Sequence, residues 1–362
     1  MSFDLPDFPW DSLADAKATA TAHPQGIVDL SVGTPVDPVP ELGQRALIDH
    51  ADSPGYPLTW GTPALRASIL GYLTRACHAI PLADASVLPV VGTKELVAWL
   101  PTLLGLRQGD TVVIPTTAYP TYEVGARLAR ADVVRSDDPT ELGDLSPKLI
   151  WINSPANPHG AILSADQVAA WVGYARSVGA VLASDECYAE FAWEGVFTSV
   201  LDPRVNGGRP DGLLAVHSLS KRSNLAGYRA GFVAGDPRLV SELLELRKHA
   251  GMMVSSPVQA AMTALLSDDN HVAVQRDRYG HRRALMRPAL EAAGFRVAYS
   301  EGGLYLWCTR DEDCRASVAW LAERGILAAP GDFYGDAGRQ FVRVAMTATD
   351  ERIAAAAARL RA

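Results

Sequence analysis

Six short apolar runs recur through the first two thirds of the chain: Val87–Val91, Thr111–Ile114, Leu149–Ile152, Ala180–Ser184, Leu213–His217 and Gly231–Ala234. They are nearly continuous rather than alternating, the pattern of strands covered on both faces. Stretches with helical spacing lie between them, among them Glu95–Leu104, Tyr122–Arg130 and Ala165–Val178. The last opens after Ser164, a residue type that caps helix starts, and stops at Gly179, a type that ends them. This alternation predicts an α/β domain built on a mainly parallel sheet.

The pattern changes after Gly235. Asp236–Pro237 introduces a long helix over Arg238–His249, followed by helices over Ser256–Leu266 and His271–Ala293. Strands over Phe295–Tyr299, Leu304–Cys308 and Gln340–Ala345 come next, and the Ala-rich Ala354–Leu360 closes the chain as a helix. The expected division is a large α/β domain over residues 45–245. An N-terminal arm (1–44) and a smaller α+β domain (246–362) complete it. The Pro-rich segment Gly33–Pro40 reads as an extended lead-in.

Composition narrows the class. The 362 residues are 48% hydrophobic and 20% charged, which supports a large core and excludes a disordered or disulfide-stapled chain. The formal charge is −8 without a dense basic patch, so no nucleic-acid partner is expected. Cys77, Cys187, Cys308 and Cys314 form no C-x-x-C pair and have no ligand-spaced histidines, so buried or unpaired thiols are expected and no metal. The start of the chain, with Asp4 and Asp7, lacks the basic opening of a signal peptide, and no apolar run reaches membrane-spanning length. A cytoplasmic protein without membrane contact is the expectation.

The candidate chemistry follows the strands. Ser218-Leu219-Ser220-Lys221 comes directly after the run Leu213–His217, and functional residues in α/β sheets gather at carboxyl ends of strands. A buried lysine there can act as an amine nucleophile; a solvated helix cap is the other reading. Ser218 and Arg229 offer donors suited to a phosphate dianion. Asp185 ends another strand, either as a helix cap or as the partner of a protonated pyridine nitrogen. Asn157-Pro158-His159-Gly160 reads as a turn. Gly92-Thr93-Lys94 opens a helix whose free N–H groups suit a phosphate. Tyr119 fills core or stacks on an aromatic ligand. Arg343 places a guanidinium in the apolar strand Phe341–Val344 and needs an anionic partner, a carboxylate of the protein or of a substrate.

Order and chemistry together resemble the class I/II aminotransferases, pyridoxal-phosphate enzymes of fold type I. The resemblance spans nearly the whole chain. It begins at Gly33-Thr34-Pro35 and continues through Tyr56-Pro57-Leu58-Thr59-Trp60-Gly61 with Leu65-Arg66. It then takes in Asn157, Asp185–Tyr188 and Lys221–Arg229, and ends with Pro330-Gly331-Asp332-Phe333-Tyr334-Gly335 and Arg343. It implies a large domain with a mainly parallel central sheet, a smaller α+β domain, pyridoxal 5′-phosphate as cofactor and amino-acid and 2-oxo-acid substrates. It also implies a homodimer with shared active sites.

The resemblance assigns roles by position. Lys221 matches the lysine that holds the cofactor covalently, and Asp185 the carboxylate that keeps its pyridine nitrogen protonated. Tyr188 and Asn157 match the residues bonded to its phenolic oxygen, and Tyr119 the aromatic stacked on its ring. Ser218, Arg229 and the Gly92, Thr93 and Lys94 backbone match the phosphate cup. Tyr56 matches a tyrosine that reaches the neighbouring subunit's cofactor phosphate. Arg343 matches the arginine that forks onto the substrate α-carboxylate, with Gly33 and Asn157 beside it.

Within the family, Phe8-Pro9-Trp10-Asp11, Val91–Glu95 and Ser220–Arg229 look like the actinobacterial succinyldiaminopimelate aminotransferases. That implies amino transfer between N-succinyl-LL-2,6-diaminopimelate and 2-oxoglutarate, in lysine and diaminopimelate biosynthesis. Lys94 and His159 depart from residue types frequent at their positions, and with Arg222 they are candidates for distal substrate contacts. The alternatives are an aspartate, alanine or aromatic aminotransferase, or a C–S β-lyase using the same cofactor residues. Ser218-Leu219-Ser220-Lys221 also spells S-x-x-K, a serine acyl-enzyme motif, but the S-D-N and K-T-G companions it requires are missing. An aminotransferase-like regulator would need a DNA-binding module, for which the residues before Gly33 are too few and too acidic.

Overall fold

The computed structural model describes Leu5 and residues 9–361; Asp4, Asp7 and Phe8, used in the sequence reading, lie outside the described residues. Near the start, the short strand β1 (Val28–Asp29) follows helix Ala14–Thr21. The main sheet is formed by β2 (Val87–Val91), β3 (Thr111–Ile114), β4 (Asp132–Arg135), β5 (Leu149–Asn153), β6 (Val181–Asp185), β7 (Leu213–Ser218) and β8 (Ala230–Gly235). Its order is β2-β8-β7-β6-β5-β3-β4. β8 runs antiparallel to both neighbours, and the other strands are parallel to one another.

The apolar runs are indeed strands, with one systematic difference. β5, β6 and β7 each extend by one polar residue at the carboxyl end: Asn153, Asp185 and Ser218. Hydrophobicity marks the covered part of a strand, and the ladder continues past it to the edge where a ligand would sit. β4 escaped the sequence reading because it is an edge strand with partly exposed side chains. Helices Pro63–Cys77 and Cys314–Glu323 also escaped it. Helix Ala165–Val178 has the expected bounds: Ser164 and Gln167 form a reciprocal capping box, and Gly179 closes it in the left-handed conformation at φ 68°.

Two apolar cores cover the faces of this sheet. One joins Leu65, Ile69 and Tyr72 of helix Pro63–Cys77 to Ile150, Val172, Phe232 and Met262. The other joins Leu96, Tyr122, Trp151, Val216 and Leu243. Helix Ser256–Leu266 therefore packs with the large sheet. Helix Asn270–Ala292 contributes Tyr279, Met286, Ala289 and Leu290 to a third core.

That third core lies under β9 (Arg296–Ala298), β10 (Tyr305–Thr309), β11 (Ile326–Leu327), β12 (Ala329–Pro330) and β13 (Val342–Ala345). The order β12-β13-β10-β9 is antiparallel throughout, and β1 pairs with β11. Leu13, Val28 and Leu30 of the N-terminal segment are buried in the same core. All four cysteines are free and buried. Among the described residues no helix is long and apolar enough to cross a membrane.

Arg247 is fully buried and forks onto Glu95, its two terminal nitrogens donating over 3.0 and 2.9 Å. Glu95→Ala would strand that charge, at a cost of about 3 kcal/mol. The expected outcome is a lower thermal midpoint by differential scanning calorimetry, with Glu95→Gln losing less.

Candidate active site

A cavity of ≈ 940 Å³ opens above the carboxyl ends of β5, β6 and β7. Register sets its floor: Asn153 stands beside Asp185, and Asp185 beside Val216. The Asn153 side chain accepts from the Asn157 N–H (2.7 Å) and donates to the Asp185 carbonyl (2.8 Å), which fixes the turn carrying Asn157. The Asp185 carboxylate accepts from the Tyr122 hydroxyl (2.8 Å) and the Cys187 N–H (3.2 Å). Burial raises its pKa against the lowering effect of these two donors. A cation at its free edge would reverse that balance.

After β7 the chain turns sharply. The Ser218 hydroxyl accepts from the Ser220 N–H (3.0 Å) and caps the single helical turn Leu219–Arg222. Lys221 faces the cavity and donates to the Gly33 carbonyl. Burial lowers its pKa, and the Arg343 and Arg229 guanidinium groups push the same way. The connection returns through Arg229, held in the left-handed region at φ 55°, before β8 begins.

Gly92 sits opposite Arg229. It starts helix Thr93–Leu103 at φ 72° with no side-chain cap, so the first N–H groups of that helix are left for another acceptor. A Cβ on Gly92 would lie 2.3 Å from Arg229 Nη2. Only glycine lets the guanidinium approach this helix start. Gly92 thus backs the cavity, while Thr93 and Lys94 line it.

Arg343, on β13, is 3% exposed. One terminal nitrogen donates to Asn157 Oδ1 (2.8 Å) and the other to the Ser31 carbonyl (2.7 Å), while Nε has no partner. Its guanidinium carbon lies 4.1 Å from the centre of the Tyr305 ring, and the Tyr305 hydroxyl pairs with that of Tyr188 (2.9 Å).

The cavity brings together Gly33, Thr93, Lys94, Tyr119, Asn157, Asp185, Tyr188, Ser218, Lys221, Arg229 and Arg343, all singled out from sequence. Tyr119 sits at its side, its pKa pushed up to about 12 by burial. Tyr56 is not brought in: it is 98% exposed on the single chain. Arg222 and His159 do not face the cavity. Arg222 is buried against Glu190 (2.6 Å) and the Tyr72 ring. His159 is half-buried, 5.3 Å from the Tyr299 ring, with its pKa lowered to about 4 by desolvation. Sequence reasoning missed Tyr305 and Tyr122; a phenol inside an otherwise apolar strand was the available signal for Tyr305.

The family model for aminotransferase class I and II matches residues 25–360. The chain belongs to that family. Class I/II aminotransferases are pyridoxal-phosphate dependent and act on amino and 2-oxo acids. The chain is 61% identical to a probable aminotransferase of Mycobacterium tuberculosis, over 99% of this chain and 86% of that protein. It is 57% identical to the 4-dedimethylamino-4-oxo-anhydrotetracycline transaminase of Streptomyces rimosus, over 99% of each. It also superposes on a probable N-succinyldiaminopimelate aminotransferase of Thermus thermophilus. The TM-score is 0.86 and the identity 27%, over 98% of this chain and 99% of that one.

The donor set fits the aminotransferase cofactor. A dianion can be met by the uncapped helix start, Ser218 and Arg229. A buried carboxylate and a half-buried amine face the same space. Gly92→Ala is expected to displace Arg229 while leaving the fold intact. Titration of the cofactor-free protein with pyridoxal phosphate, followed by absorbance, should show affinity reduced by about tenfold or more.

Proposed function

We propose that this aminotransferase moves an amino group between glutamate or 2-oxoglutarate and N-succinyl-LL-2,6-diaminopimelate. The observation that carries an amino-acid site is Arg343: a buried guanidinium bonded to Asn157, with an unpaired Nε, in the same cavity as Lys221. An α-carboxylate is the anion that such a group accepts bidentately. The succinylated partner is supported by the resemblance of Val91–Glu95 and Ser220–Arg229 to the actinobacterial enzymes and by the name of the Thermus thermophilus neighbour.

In this reading Lys221, Asp185, Tyr188 and Asn157 hold the cofactor, with Tyr119 on its ring and Ser218, Arg229 and residues 92–94 around its phosphate. The bound cofactor supplies an electron sink for the pair left when the substrate Cα–H bond breaks. Arg343 and Asn157 fix the α-carboxylate and so set the direction of that bond. Lys221 takes the proton from Cα; burial lowers its pKa and favours the free amine it needs. Asp185 holds a proton at the ring nitrogen, its carboxylate oriented by Tyr122. Tyr188 donates to the phenolic oxygen, supported by Tyr305. Tyr56, exposed on the single chain, completes the phosphate site of a second subunit in a homodimer.

The 57% identity to the Streptomyces rimosus transaminase favours a second reading, in which the amino acceptor is a polycyclic ketone. Measuring kcat/KM with 2-oxoglutarate or glutamate as partner decides between them. The panel is succinyldiaminopimelate, aspartate, alanine, phenylalanine, acetylornithine and 4-dedimethylamino-4-oxo-anhydrotetracycline. Succinyldiaminopimelate is expected to lead. A tenfold advantage for any other compound, about 1.4 kcal/mol at the transition state, overturns the substrate assignment. With a cysteine S-conjugate as substrate, release of thiol, pyruvate and ammonia without a 2-oxo-acid partner would instead indicate β-elimination.

Asp185→Asn is expected to bind the cofactor but to lower kcat by about 10² or more, because positioned charge supplies several kcal/mol. Borohydride reduction of the loaded wild type should place one pyridoxyl group on the Lys221 peptide.

A further inference from the structure

Tyr305 joins the small sheet to the cavity. On the antiparallel pair β10–β13, Tyr305 lies opposite Ala345 and Trp307 opposite Arg343. Tyr305 and Arg343 are therefore diagonal neighbours on one face. This register is what sets the Arg343 guanidinium carbon 4.1 Å from the centre of the Tyr305 ring. The hydroxyl end of the same ring meets the hydroxyl of Tyr188, which follows β6, at 2.9 Å. Both phenols are buried, and both line the cavity.

Two phenols carry two protons, and the bond between them uses one. What surrounds each oxygen decides which. The Tyr305 hydroxyl is wedged against Gly33, where an added Cβ would overlap it. The Gly33 carbonyl already accepts from Lys221. Around the pair stand Cys187, Lys221, Arg343, Tyr119, Tyr279 and Tyr334. Among the described residues, the hydrogen bond of the Tyr305 hydroxyl is to Tyr188 and to none of these six. Buried donors are hydrogen-bonded, so the Tyr305 proton goes to the Tyr188 oxygen. The Tyr188 proton is then left for an acceptor in the cavity. The Arg343 charge against the Tyr305 ring draws electron density from its oxygen and strengthens it as a donor.

We infer that Tyr305 is a positioning residue: it donates to the Tyr188 hydroxyl and so commits the Tyr188 proton to the phenolic oxygen of the cofactor. The inference rests on the reading in which Tyr188 faces that oxygen. It gives Tyr305 a task exerted through Tyr188 rather than by contact with the cofactor, and it makes the small sheet a contributor to the electronics of the large sheet's site.

The test is a pH titration of the cofactor-loaded enzyme, followed by absorbance, which reads the pKa of the nitrogen linking the cofactor to Lys221. A donor at the phenolic oxygen stabilises its anion and lowers that pKa, so losing the donor raises it. Tyr188→Phe is expected to raise it by about one unit. Tyr305→Phe, which keeps the ring and removes only the hydroxyl, should raise it by about half a unit, the net contribution of a neutral hydrogen bond. The double variant Tyr188→Phe/Tyr305→Phe should match Tyr188→Phe alone, because Tyr305 acts through Tyr188. No shift or a downward shift in Tyr305→Phe, or a further rise in the double variant, would overturn the role of Tyr305 and leave the cofactor reading intact. No shift in Tyr188→Phe either, or failure of the wild type to take up pyridoxal phosphate, would overturn both.

Discussion

Burying the Arg343 guanidinium is the constraint from which the site is built. A charge that is 3% exposed requires partners, and no single element supplies them. Asn157 comes from a turn above the large sheet, the Ser31 carbonyl from the N-terminal segment, and the arginine itself from the small sheet. One side chain thus brings three separate parts of the chain, drawn from two of the cores, to one place. The same N-terminal segment supplies the Gly33 carbonyl to Lys221, so the two groups with most to do in the proposed chemistry are positioned by adjacent stretches of backbone.

Desolvation then acts on each ionisable group according to its charge. It raises the pKa of Asp185 and lowers that of Lys221, favouring the neutral form of both. Hydrogen bonds from Tyr122 and the Cys187 N–H oppose the first shift and orient the carboxylate. A ligand that brings its own cation to Asp185 and its own anion to Arg229 completes charges that the protein leaves incompletely compensated. That is a structural reason for tight binding of a zwitterionic, phosphorylated ring.

Much of this was legible in the sequence because the chemistry follows chain order. Asn157, Asp185 and Lys221 each trail an apolar run, and a run that ends in a polar residue marks a strand's carboxyl edge. What was not legible depends on direction in space. Arg222 is the next residue after Lys221, but on a helical turn its side chain points elsewhere, to Glu190. His159 lies in the site turn, yet its ring faces Tyr299 and not the cavity. Tyr305 and Lys17 join the cavity only because the small sheet and the first helix fold back over the large one. No local pattern encodes that docking.

The reversal of β8 has a consequence for how the cofactor would be retained. Because β7 and β8 are antiparallel neighbours, the chain leaves the sheet at Ser218 and re-enters it at Ala230, on the same edge. The proposed covalent tether and two of the proposed phosphate ligands lie within that one excursion. They would open and close as one cooperative unit, so a local fluctuation, far short of global unfolding, would loosen the tether and the phosphate grip together.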